Sequence, residues 1–415
     1  MNNKEQITVL APVGSWESLR AAAQAGADAV YFGIEQLNMR ARSSINFTLE
    51  DLREIAQVCK EEGMRSYLTM NTILYDHDLK LMQNIADVAK ESGIDAVIAM
   101  DHAAINYANS IGLPVHISTQ VNITNVESVK FYAQFSEVMV LSRELTLQQV
   151  EHICQQVEKQ QIKAPSGNLV RIETFVHGAL CMAVSGKCYL SLHTLNSSAN
   201  RGACKQNCRR SYTVTDEDGH ELKIENEYIM SPKDLCTIGF VDKIMDAGVK
   251  VLKIEGRGKG PEYVYEVTKC YREAVDAWYE GGPFTPEMVQ RWEERLSTVY
   301  NRGFWGGYYL GKKMGEWTDK EGSKSTKEKV YLGKGVKYFQ KIGVGEFKLD
   351  VGELQVGDEV LITGPSHGIF QTKVKELRRD NLEETQTVKR GEVFSMPINI
   401  KIRPSDNLYK IIDRV

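Results

Sequence analysis

The chain has 415 residues, of which 42% are apolar and 26% charged, with a formal net charge of −4. That length exceeds one ordinary domain unless the domain is a large barrel, so a barrel with a smaller companion is the starting expectation. The sequence shows no apolar run near the roughly 18 residues that a bilayer requires, and its start, M-N-N-K-E-Q-I-T-V-L, leads into a strand without a signal core. A cytoplasmic protein with no membrane partner is expected. The negative net charge gives no global attraction to nucleic acid, although a local basic stretch such as residues 205–210 could contact phosphate.

Short β-rich runs recur in chain order at Ile7 to Leu10, Ala29 to Ile34, Arg65 to Asn71, Ala96 to Asp101, Val115 to Gln120, Val138 to Arg143, Arg171 to Gly178 and Val251 to Arg257. Helical stretches separate most of them. In T-L-E-D-L-R-E-I-A-Q-V-C-K, for example, Thr48 and Asp51 make a start resembling a capping box and Gly63 a stop. The phrases A-G-A-D-A-V-Y-F-G, S-G-I-D-A-V-I-A-M-D and A-G-V-K-V-L-K-I-E-G share one order: helix end, glycine, buried strand. Alternation of helices with continuously apolar strands predicts a parallel sheet, and eight such units predict an α/β fold of the closed (β/α)8, TIM-like type. A doubly wound open sheet is the alternative.

The predicted barrel spans residues 1–307 and carries a cysteine-rich insertion at about 179–236. Cys59, Cys154 and Cys270 fall on apolar helix faces and read as small core hydrophobes. Cys181, Cys188, Cys204, Cys208 and Cys236 lie instead in a stretch rich in glycine, serine and asparagine. The insertion leaves the seventh strand, whose neighbours end in Asn71, Asp101, Gln120, Arg143, Glu144, His177, Glu255 and Arg257. Active sites of such barrels gather at those strand ends, so the thiols are expected to cap the site.

Six residues separate Cys181 from Cys188, fifteen separate Cys188 from Cys204, and thirty-one separate Cys204 from Cys236. Structural zinc sites pair ligands at closer spacing, whereas iron–sulfur clusters accept thiolates from separated loops. Spacing alone leaves a cluster, zinc and uncoordinated thiols all open. Cys204-x3-Cys208 begins a radical-cluster triplet, but Ser211 stands where its third cysteine would be.

Residues 308–330 are polar and charged and read as a linker; residues 331–415, with short alternating strands broken by glycines, read as a small β-barrel domain. Its V-G-D-E-V-L-I-T-G-P looks like the second-domain barrel of translation factors, an RNA-associated module. A packing or dimerisation role, giving a homo-dimer, is the equal alternative. Lys334, Lys337, Lys341, Lys373 and Lys375 form a basic face or solvate strand edges.

E-T-F-V-H-G-A-L-C-M-A-V-S-G-K-C-Y-L-S, N-R-G-A-C-K-Q-N-C-R, S-P-K-D-L-C and L-K-I-E-G-R, in that order, resemble the signature blocks of the collagenase-like peptidase family of unknown catalytic type, peptidase U32. Within it the chain looks most like the tRNA hydroxylation proteins, which form 5-hydroxyuridine at the wobble position. The resemblance implies a 4Fe-4S cluster on Cys181, Cys188, Cys204 and Cys236, with Pro232 a departure from the usual approach to the last. It also implies prephenate as co-substrate, with Arg143, Lys253 and Arg257 as the expected carboxylate contacts and Glu255 completing the catalytic set. The partner would then be tRNA; ribosomal RNA or a peptide is the alternative. The sequence has no H-E-x-x-H or G-x-S-x-G motif, and the residue nearest a peptidase nucleophile is Cys181, close in sequence to His177.

Overall fold

The computed structural model describes residues 6–42, 46–213, 215–220, 228–312 and 314–414. Its first part is built on eight parallel strands: β1 (Thr8–Pro12), β2 (Ala29–Phe32), β3 (Arg65–Met70), β4 (Ala96–Ala99), β5 (Val115–Ile117), β6 (Val138–Val140), β7 (Arg171–Gly178) and β8 (Val251–Ile254). Each pairs with the next, and β8 returns to pair with β1. That last pairing closes the barrel and excludes the open doubly wound sheet.

Alternation along the strands divides the core into two shells. Leu10, Tyr31, Tyr67, Ile98, Val138 and Val251 point inward and pack on one another, while Val9, Val30, Leu68 and Val97 face the surrounding helices. The helices are α1 (Trp16–Gln24), α2 (Leu52–Glu61), α3 (Leu79–Glu91), α4 (His102–Ser110), α5 (Val126–Ala133) and α6 (Leu147–Lys159), followed by others after β7. Before α2, the Asp51 carboxylate accepts the Thr48 N–H at 2.7 Å, one half of the expected capping box, and Gly63 follows the helix with φ +71°. Several strands stop short of their predicted ends because the polar residues there begin the next element: Asp101 caps α4 by accepting the Ala103 N–H, and Thr119–Val121 forms a 3-10 turn.

The cysteine-rich segment leaves β7 at Gly178, whose φ is +101° and where a Cβ would lie 2.3 Å from the Glu255 carbonyl oxygen. It returns as a short strand, Asp234–Cys236, antiparallel to the end of β7, with His177 opposite Cys236 and Gly178 opposite Leu235.

The described residues of 308–330, expected to be a linker, are laid along the barrel. The Tyr309 hydroxyl donates to the Phe175 carbonyl at 2.8 Å, the Thr318 N–H to the Ser231 carbonyl and the Thr326 N–H to the Ser297 carbonyl, each at 2.9 Å. The first strand of the second domain already begins at Lys327. A polar composition concealed this because the anchoring is by backbone hydrogen bonds and one buried tyrosine.

The C-terminal part is an antiparallel β domain in which eight strands share one sheet. Leu332, Phe347, Leu354, Val360, Leu377, Phe394 and Leu408 form its core. It docks on α1: Ala21 packs against Leu361 and Ile369, and the Gln24 side chain both donates to and accepts from the Ile369 backbone, at 3.2 and 3.1 Å.

Candidate active site

At the C-terminal mouth of the barrel a cavity of about 170 Å³ is lined by strand-end residues, among them Tyr31, Thr69, Gln120, Lys253, Glu255 and Arg257. The cysteine-rich segment forms its other wall. Cys181, Cys188, Cys204 and Cys208 all line this one cavity. The segment is tied down by a buried-edge ion pair, Arg201 to Asp78 at 2.7 Å, by Asn122 donating to the Ser185 carbonyl at 3.1 Å, and by the Cys188 N–H donating to Asn200 Oδ1 at 3.3 Å.

Of the four thiols expected together, three share the cavity. Cys236 does not line it. The pairing of Asp234–Cys236 with β7 places Cys236 beside His177, where burial pushes its thiol up to about 12 and Tyr271 is its hydrogen-bonding neighbour. Cys208 stands with the other three instead. Burial raises its thiol, and the nearby Cys181, Cys204 and Cys188 add to the effect, while Arg209 opposes it. Cys59, Cys154 and Cys270 are buried in the outer core, as expected. Burial pushes the first two thiols up to about 12, the state of inert cysteines.

The predicted cations differ in how far they are already engaged. Lys253 is in a buried ion pair with Glu173 at 2.6 Å. Arg257 donates to Thr69 Oγ1 at 2.7 Å and Asn38 Oδ1 at 3.1 Å, in space that Gly33 leaves open: a Cβ there would be 2.4 Å from the guanidinium. Burial lowers Arg257 to about 10. Glu255 bonds Arg40 at 3.0 Å and accepts from the Tyr31 hydroxyl at 3.1 Å. Burial would raise its carboxyl, but Arg40, Arg143 and Arg257 together hold it low. Arg143 lies 4.0 Å over the Phe175 ring and donates to the Ala179 carbonyl at 3.1 Å, leaving its buried Nε without a partner among the described residues.

His177 does not join this constellation. It is buried among Tyr263, Tyr271 and Phe304, and burial lowers its imidazole to about 3. The neutral ring is packed against those aromatic side chains and does not line the cavity that Cys181 lines. Arg40, Lys259 and Arg302, which also come to the mouth, were missed from sequence. They sit in separate loops with no fixed spacing to any motif.

A TIM-like barrel with a thiol-lined mouth defines the class. The sequence profile of peptidase family U32 matches residues 14–319, and the chain belongs to that family. It is 56% identical over 413 residues to a Porphyromonas gingivalis protein named collagenase, covering 99% of both chains. It is 31% identical over 323 residues to tRNA hydroxylation protein P1 of Bacillus subtilis, covering 75% of this chain and 74% of that one. To the 23S rRNA 5-hydroxycytidine C2501 synthase of Escherichia coli it is 35% identical over 280 residues, 67% of this chain and 40% of the other.

Proposed function

We propose that the chain hydroxylates a pyrimidine base of RNA, forming 5-hydroxyuridine at the tRNA wobble position, with an iron–sulfur cluster at the mouth and prephenate as co-substrate. The observation that carries this reading is the sharing of one cavity by four thiols and a ring of strand-end cations. The donor set fits the cluster: Cys181, Cys188, Cys204 and Cys208 would hold it. When bound, a cluster supplies electron transfer. The chain's own residues bind and orient: Arg143 offers a donor unsatisfied among the described residues, the Arg40–Glu255 pair fixes the wall beside it, and the Cys-rich segment walls the mouth on its other side. A wobble base is single-stranded and reaches such a mouth without melting a duplex.

Peptide-bond hydrolysis is the second reading, favoured by the name of the 56%-identical relative. Against it, the described mouth pairs no thiol with an imidazole, because His177 is enclosed by aromatic rings. Anaerobic purification with iron and sulfide analysis, followed by nucleoside analysis of tRNA from a host lacking all paralogues, tests the proposal. About four irons per chain, the content of a 4Fe-4S cluster, and restored 5-hydroxyuridine are expected. An iron-free protein that leaves tRNA unchanged and cleaves peptides would overturn it.

A further inference from the structure

Beside the thiol-lined cavity lies another of about 190 Å³. The two share Cys181, Cys204, Cys208, Arg40, Arg143 and Glu255 as a common wall. Beyond that wall the second cavity is lined by Lys259, Arg209 and Arg302. Five cationic side chains therefore face it, against the single carboxylate of Glu255, which is already bonded to Arg40 at 3.0 Å.

We propose that this second cavity binds the carboxylate of a small organic acid and holds that acid against the thiols, with Lys259 and Arg143 as its principal contacts. The inference rests on the hydroxylase reading only for the choice of acid.

The existing partners of these cations leave charge uncompensated. Lys259 makes no ion pair among the described residues; its ammonium lies 2.9 Å above the centre of the Tyr300 ring. Arg302 reaches Asp234 at 3.4 Å, and Arg209 spends its donors on neutral oxygens of Ser231, Pro232 and Leu180. Arg143 contributes its Nε, which has no partner among the described residues. Clustered, partly desolvated cations repel one another, and a bound anion removes that cost. Lys259 registers the strain: burial, then Arg302, lowers its ammonium to about 7. Guanidinium forks and a flexible ammonium suit a planar carboxylate. An RNA phosphate seated here would bring backbone rather than base against the thiols, so the pocket suits the co-substrate and leaves the other cavity to the base.

Calorimetry on the full-length, cluster-loaded protein under anaerobic conditions tests this, with prephenate as probe. Wild type should bind it, Lys259→Met should weaken binding on the order of tenfold or more, and Lys259→Arg should restore most of it. Lys187→Met, an exposed change in the cysteine-rich segment outside both cavities, should bind as wild type. Unchanged iron content in Lys259→Met separates lost binding from a lost cluster. At pH 8, titrations in buffers of different ionisation enthalpy should reveal proton uptake on binding that Lys259→Met abolishes. Equal affinity in wild type and Lys259→Met would overturn the proposal. So would a wild type that ignores prephenate but binds short single-stranded RNA through Lys259. In either case, 5-hydroxyuridine formation by the same preparation judges the hydroxylase reading separately.

Discussion

Lys253 and Glu173 form an ion pair between neighbouring strands of the barrel, Nζ to Oε1 at 2.6 Å, with the Glu173 side chain fully removed from solvent. The lysine belongs to the scaffold below the mouth as much as to the site. Its charge is committed to the neighbouring strand β7, and it also lies 4.7 Å from the Tyr31 ring centre.

Removing one partner of such a pair leaves the other charge buried and alone. Lys253→Met should therefore destabilise the protein by about 3–5 kcal/mol, while the double change Lys253→Met with Glu173→Leu should recover most of that loss. Denaturant midpoints of the three proteins check this. A Lys253→Met variant that keeps wild-type stability but loses activity would make the lysine a substrate contact instead.

Cluster retention should divide the cysteines by place in the fold. Alanine at Cys181, Cys188, Cys204 or Cys208 should remove most of the iron, because a cluster missing one anchor is exposed and labile. Alanine at Cys236 or Cys59 should leave it. Iron assays and the cluster's visible absorption on anaerobic preparations decide the matter. Iron lost from Cys236→Ala but kept by Cys208→Ala would return Cys236 to the ligand set.

Two buried histidines make folding sensitive to acid. Burial holds both His116 and His177 neutral, lowering each from an ordinary 6.5 to about 3. The unfolded chain therefore takes up these protons first as pH falls, so stability declines from about pH 6.5 towards pH 3 and levels below. Over that whole window the loss amounts to roughly 5 kcal/mol for each ring. Unfolding midpoints between pH 7 and 5 should fall for wild type and fall less for His116→Gln. A flat wild-type profile would contradict the burial of the neutral rings.

Trypsin should nick the exposed chain at Lys312 or Lys320 without separating the two parts. The Gln24–Ile369 hydrogen bonds, the Ala21, Leu361 and Ile369 cluster and the Lys329–Glu262 ion pair at 2.8 Å lie outside that stretch. The fragments should co-elute on native size exclusion and part only in denaturant. Fragments that separate on nicking would mean the docking is weak.

The barrel was legible because its signal is local and repeated: in several units a glycine follows the helix and then an apolar strand, as in A-G-A-D-A-V-Y-F-G. Each unit carries its own pattern, so eight strands could be placed from one periodicity. The site was legible only where it follows from those strand ends. Arg143, Glu255 and Arg257 were found because a barrel gathers its strand ends, yet nothing in their spacing tells a free guanidinium from one held by Asn38 and Thr69. Arg40 and Arg302 escaped because pairing with Glu255 and Asp234 depends on loop paths. Which of Cys208 and Cys236 lines the cavity turned on strand register. One antiparallel pairing with β7 sets Cys236 opposite His177 and outside the cavity lining, and long-range register leaves no short-range mark in sequence.

Gly178 and Leu235 are register partners, so the polypeptide departs from the barrel and rejoins it at a single point. A stretch whose two ends meet adds little strain to the scaffold whatever its length, because loop-closure cost grows only slowly with size. The thiol-bearing stretch is thereby a cassette. Between those anchors its length can change at small cost while the eight strands stay as they are.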